Sequence, residues 1–211
     1  MPPPTGVDDG KPLEGVECIE LQNECLRGDY AKVKELVDGG ADVNETDSVG
    51  RTALMIAAKH GESEIARVLM QAGADVRVVT KEMGKPTLMW SMGHNDLHTY
   101  IATMMIERGA DVNETDKAGW TPLMMAVLSM NIKTVKLLLK HGADKTVTVE
   151  EGLVTPAHTA FDLVAHIAKD KRKAIGELLL LEGSKAKWVS WEERWVDPDS
   201  PHVAQKVAQG A

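Results

Sequence analysis

The tripeptide Gly-Ala-Asp begins at Gly40, Gly73, Gly109 and Gly142, so successive copies are 33, 36 and 33 residues apart. Self-similarity at such a period restricts the chain to a stacked array. Each unit is one supersecondary piece that buries its apolar face only against its neighbours. Within a period the signals keep one order: a glycine stop, a polar turn, then Thr-Pro-Leu or a variant opening an apolar run. The fullest copy runs from Gly109 to Ala126, GADVNETDKAGWTPLMMA.

Helix signals fill the space between the turns. Thr52 is placed to accept a bond from the first backbone amides of a helix at Ala53 to His60, and Gly61 to stop it. Glu62 or Ser63 then opens a second helix, with Ile65, Val68, Leu69 and Met70 on one side. The next unit is irregular, with one extra residue before Gly84, two between Ser91 and Ile101, and the shuffled opening Lys85-Pro86-Thr87-Leu88. The third restores Thr121-Pro122-Leu123, and the fourth has a turn lengthened by five residues before Thr159 to Leu163, a basic loop at Lys169 to Lys173 and a helix from Ala174 to Leu181.

This order of signals resembles the ankyrin repeat over residues 17 to 183. The resemblance implies an all-α solenoid of helix-turn-helix units with β-hairpin fingers, about five units including caps. Divided accordingly, 1–15 is a Pro-, Gly- and Asp-rich tail and 16–183 the array, split as 16–44 (N-terminal cap), 45–77, 78–113, 114–145 and 146–183 (C-terminal cap). Residues 184–211 form a Trp-rich extension that matches no repeat. The N-terminal cap needs a polar outer face, which Glu17, Glu20, Gln22, Asn23 and Glu24 allow. One departure from the family pattern recurs: Met55, Met89 and Met124 stand where the family usually has a loop-bonding histidine, so thioether packing replaces those bonds.

Composition narrows the function. A formal charge of −8 removes the Lys and Arg excess from which nucleic-acid binding draws its affinity. Cys18 and Cys25 lie seven residues apart in one expected helix, about 10 Å along its axis, too far to pair. Two reduced thiols fit a cytosolic or cytoskeletal setting, with the nucleus also compatible. No signal peptide and no membrane-length apolar run is read.

Enzyme motifs are weak. Gly84-Lys85-Pro86-Thr87 resembles the end of a phosphate loop, but Val79 stands where the leading glycine belongs. His94 and His98 have i, i+4 spacing that suits a metal, which makes a metal-dependent regulator or enzyme the alternative reading, yet no third ligand is in reach. No catalytic residue and no cofactor is assigned. Asn44 and Asn113 follow Asp-Val at the base of the fingers, where an asparagine side chain bonds the local backbone of a tight turn. The stretch Leu36 to Asn44 also resembles the site that an asparaginyl hydroxylase modifies in ankyrin proteins, which makes Asn44 a candidate for modification.

The stronger signal is the set of positions that the family leaves free on its concave face. By register these include Arg51, Lys59, His60, Met83, Lys85, Lys117, Trp120 and Leu128. Over the whole set, five bases face one acid, or three acids when the finger residues Asp47 and Asp116 are counted. Apolar side chains among bases, with Trp120 central, have the make-up of an interface hot spot for an acidic and apolar segment of another protein. Trp188, Trp191 and Trp195 fall at i, i+3, i+7 and are expected on one face of a short helix. That helix either caps the array or docks on a partner. The whole is read as a non-catalytic adaptor or structural subunit of a larger assembly.

Overall fold

The computed structural model describes residues 20–149, 159–161, 163–164, 169–180, 187–189 and 194–196. Helices α1 (Glu20–Arg27) and α2 (Tyr30–Asp38) form the first pair, α3 (Ala53–His60) and α4 (Ser63–Gln71) the second, and α5 (Thr87–Trp90) and α6 (Asp96–Glu107) the third. Helices α7 (Pro122–Leu128) and α8 (Ile132–Lys140) follow, then α9 (Lys169–Leu179) and two strands, β1 (Lys187–Val189) and β2 (Arg194–Val196). An inner layer stacks α1, α3, α5 and α7, and an outer layer stacks α2, α4, α6, α8 and α9. The fold is the ankyrin solenoid anticipated from the repeat, with a small strand pair added at its C-terminal end.

The local chemistry of the repeat is met by side chains that bond their own backbone. Thr52 Oγ1 accepts from Met55 N at 3.3 Å, and Thr121 Oγ1 accepts from Met124 N at 3.2 Å. Asp29, Asn95 and Asn131 cap α2, α6 and α8 in the same way. In the irregular third pair the cap is Pro86, which brings no side-chain acceptor, and α5 is only four residues long. The freed Thr87 hydroxyl donates instead to Val78 O at 2.7 Å. Met55, Met89 and Met124 are all buried, so the three thioethers do pack into the core as their sequence positions suggest.

Two expectations for the end units are corrected. Gln22 and Glu24 are buried rather than solvated. Gln22 Nε2 donates to the carbonyls of Arg51 and Glu45, at 2.8 and 3.2 Å, and so ties α1 to the first finger, the work that polarity alone could not foretell. At the other end the basic stretch at Lys169 to Lys173 is the first part of α9 rather than a loop. Lys145 Nζ donates to the carbonyls of Leu178 and Leu180 at the C-terminal end of α9, where the helix dipole favours a cation.

Cys25 is fully buried, and burial, helped by Glu24 and Glu62, pushes its thiol up to about 12 from 9.0. The unfolded thiol ionises near 9.0, so this contribution to stability is complete below that pH and is lost as pH rises from 9.0 towards about 12. Alkylation of the native protein at pH 8 is therefore expected to leave Cys25 unmodified, and denaturant to expose it, as intact-mass measurement and peptide mapping will check. Rapid native labelling of Cys25 would overturn the packing described for α1 and α3. Cys18 lies outside the described residues.

Candidate partner-binding surface

The fingers are built first by aspartates. Asp47 Oδ1 accepts from Val49 N at 3.1 Å and Arg51 N at 2.8 Å, while its Oδ2 accepts from Arg51 Nε at 2.6 Å. Asp116 closes the third finger likewise, accepting from Ala118 N and Trp120 N, both at 2.9 Å. In the second finger Thr80 takes that place, and its hydroxyl accepts from Lys85 N across one more residue. Val79 and Pro86 pair there as an antiparallel bridge, so the Gly84 to Thr87 stretch is one side of a hairpin rather than a phosphate loop.

Successive fingers are then tied to one another through the main chain. Lys81 N donates to Val49 O at 3.1 Å, and Lys117 N donates to Met83 O at 2.9 Å. Lysine ammonium groups reinforce the ties: Lys117 Nζ donates to Lys81 O at 2.7 Å and Lys81 Nζ to Asp47 O at 3.5 Å. Part of the positive charge on this face therefore serves the scaffold. At the base of the fingers, Asn44 Nδ2 donates to Gly73 O at 3.1 Å and Asn44 Oδ1 accepts from Asp75 N at 2.7 Å. Asn113 makes the same two bonds to Gly142 and Asp144. These amides clip neighbouring repeats rather than bonding their own turn, which is served by Asp42 and Asp111. Arg77 stands where a third clip would be, and its guanidinium returns to Asp75.

The candidate contact residues divide sharply. Two are corrected. Trp120 is buried within the core, its backbone amide held by Asp116 while its ring joins the apolar cluster, and it has no face to offer a partner. Arg51 is 7% exposed and paired with the fully buried carboxylate of Asp47. Of the others, Met83 is 47% exposed at the tip of the second finger, and His60 and Lys117 are also exposed. Lys59, Lys85 and Leu128 are half-buried.

Sequence reasoning missed Trp90. It ends the short helix α5, on the same inner-layer position as Ile56 and Met125, and it is half-buried. Lys59 Nζ lies 5.9 Å and Lys85 Nζ 4.8 Å from the centre of its ring. Both lysines were among the expected contacts, and Trp90 is what brings them together.

The histidine pair is also settled by geometry. His98 is buried, with Nδ1 2.6 Å from Asn95 Oδ1 and Nε2 3.1 Å from the carbonyl of Lys59, so both nitrogens are engaged. Gly93 leaves room for that ring, since a Cβ there would stand 2.3 Å from His98 Cδ2. His98 thus joins the third pair to α3, while His94 precedes α6 and is exposed. Among the described residues no group of three His, Cys, Asp or Glu is placed to hold a metal ion.

The tryptophan helix expected in the extension is overturned. β1 and β2 pair antiparallel, with Trp188 opposite Trp195, and β2 lies against α9. Trp191 lies outside the described residues. No helix among those described is long and apolar enough to cross a membrane.

Comparison with known proteins agrees with this architecture. The chain matches the family described as ankyrin repeats (3 copies) over residues 21–116, 73–149 and 98–186. It is 31% identical over 145 residues to the Escherichia coli ankyrin repeat protein YahD, covering 66% of this chain and 70% of that protein. It is 29% identical over 128 residues to an ankyrin repeat protein of Rickettsia bellii, covering 57% of this chain and 35% of the relative. A 29% identity over 137 residues links it to serine/threonine-protein kinase 12 of Arabidopsis thaliana, of which only 21% is matched, against 64% of this chain. Ankyrin repeats serve as protein–protein interaction modules, and from residue 21 to 186 this chain belongs to the ankyrin repeat family.

Proposed function

We propose that the chain is a non-catalytic adaptor or structural subunit whose finger and inner-helix face receives an acidic and apolar segment of a partner protein. One observation carries the reading. Backbone bonds tie the fingers into a continuous ledge, Val49 to Lys81 and Met83 to Lys117, and that ledge presents exposed Met83 and Lys117 beside half-buried Lys59, Lys85 and Trp90. Such a surface combines an apolar anchor with local positive charge on a chain of net −8. A cytosolic or cytoskeletal assembly is the setting the free thiol favours. The C-terminal extension, whose strand β2 lies against α9, serves as an end cap and a second contact.

Affinity capture with quantitative mass spectrometry tests the surface. Met83→Asp combined with Lys117→Glu is expected to reduce recovery of bound partners about tenfold or more at unchanged secondary structure. Tyr100→Asp, on the exposed outer layer, is expected to leave recovery intact. Equal recovery with both variants would count against the finger face.

A further inference from the structure

Sulfur is distributed unevenly over this fold. The chain has eleven methionines, and of the ten among the described residues seven are 8% exposed or less. Met125 and Met130 are half-buried against the core. That leaves Met83, 47% exposed at the tip of the second finger, while Cys25 is fully buried. Susceptibility of a sulfur to oxidation follows its exposure, so among the described residues Met83 is the side chain an oxidant meets first. The backbone around it does not depend on its side chain. Its carbonyl accepts from Lys117 N at 2.9 Å, and Gly84 N donates to Thr80 O at 3.0 Å, so main-chain bonds hold the finger tip. A change at this sulfur alters the surface and leaves the ledge in place, whereas the same change at Met89 or Met124 puts a polar group into the core.

We propose that Met83 is a site of reversible oxidation whose sulfoxide closes the finger face to an apolar partner segment. The inference rests on the finger-face reading, in which Met83 is the apolar anchor. In the step, a lone pair of the thioether sulfur attacks one oxygen of hydrogen peroxide or an organic hydroperoxide and the O–O bond breaks. The sulfur loses two electrons, and the proton of the transferred oxygen leaves with the departing hydroxide or alkoxide as water or alcohol. The product is a polar, chiral S=O side chain that no longer suits an apolar pocket. A dithiol, acting through a sulfoxide reductase, returns the two electrons and forms a disulfide and water. A seated partner covers Met83, so the free chain is the form oxidised, and oxidant blocks rebinding rather than stripping a closed complex.

Limited treatment of the full chain with hydrogen peroxide, followed by peptide mapping, tests the site. The expected result is one added oxygen, at Met83, appearing at least about tenfold faster than at any other described methionine, with the buried ones reached only in urea. Faster oxidation of any other described methionine overturns the site. Chain oxidised at Met83 then enters the affinity capture beside the untreated chain, peroxide-treated Met83→Leu, and Met83→Gln, which is polar without oxidant. Recovery of the proteins held by the untreated chain is expected to fall about tenfold for the oxidised chain and for Met83→Gln, and to stay unchanged for treated Met83→Leu. Methionine sulfoxide reductases for both epimers, with dithiothreitol, are expected to restore the oxidised chain, and failure to do so overturns reversibility. Unchanged recovery for the oxidised chain, where Met83→Asp with Lys117→Glu still reduces it, overturns the proposal and keeps the finger-face reading. Recovery insensitive to oxidation and to that double variant overturns both. An equal loss in treated Met83→Leu assigns the effect to another residue and overturns the proposal.

Discussion

Asp47→Ala is expected to lower stability by about 3–5 kcal/mol, the range for removing one member of a buried ion pair. The carboxylate is fully buried and its Arg51 partner nearly so. The same side chain also fixes the turn through the amides of Val49 and Arg51. Replacing both residues, Asp47→Ala with Arg51→Met, is expected to recover only part of the loss, because the desolvated charge goes but the two amides still lack their acceptor. Asp47→Asn keeps an acceptor for those amides and should fall between wild type and Asp47→Ala. Urea unfolding of the four proteins separates these contributions. A loss below about 1 kcal/mol for Asp47→Ala would place the pair among weak surface interactions and contradict its burial.

Gly50→Ala is expected to cost about 2–4 kcal/mol, more than any glycine change on the outer turns. Gly50 has a φ of +86°, and a Cβ there would stand 2.8 Å from Lys81 N. That nitrogen is the donor of the tie between the first two fingers, so no side-chain rotation relieves the clash. Gly40 supplies the control. Its φ is +87° but nothing lies within 4 Å of a Cβ, so Gly40→Ala carries only the conformational cost, about 1–2 kcal/mol. The difference in melting free energy between the two variants measures the finger contact. Equal losses would show that the fingers part without penalty.

How far this was legible in the residues depends on whether a signal was local. The caps at Thr52 and Thr121 and the stop at Gly61 act within one turn of chain, and each falls where the residues put it. Trp120 failed for a different reason: register fixes a residue's place on a finger but not which way the closed finger turns its side chain. Arg51 was counted as surface charge because its answer, Asp47, had been set aside as a turn former, although the two lie four residues apart. Trp90 was passed over because α5 ends there after only four residues, so the register of a full inner helix did not point to it. The tryptophans of the extension satisfied a helical spacing, but Lys-Trp-Val and Arg-Trp-Val also repeat as two short apolar runs, and short runs do not distinguish helix from strand. Asn44 and Asn113 make bonds 29 and 31 residues away, a reach no local pattern reveals.

The finger ties have a further meaning for how such a protein changes over generations. The bonds that hold one finger to the next run between main-chain atoms, Val49 to Lys81 and Met83 to Lys117. Main-chain bonds are indifferent to most side chains, so the spacing between neighbouring tips is inherited with the repeat and survives substitution at the tips. Variation at positions such as Ser48, Glu82 or Ala118 can therefore explore new partners with little penalty to folding, while Asp47, Gly50 and Asp116 beneath them stay under constraint. Stability and specificity are written on alternate residues of the same few loops, which leaves evolution free to revise one without erasing the other.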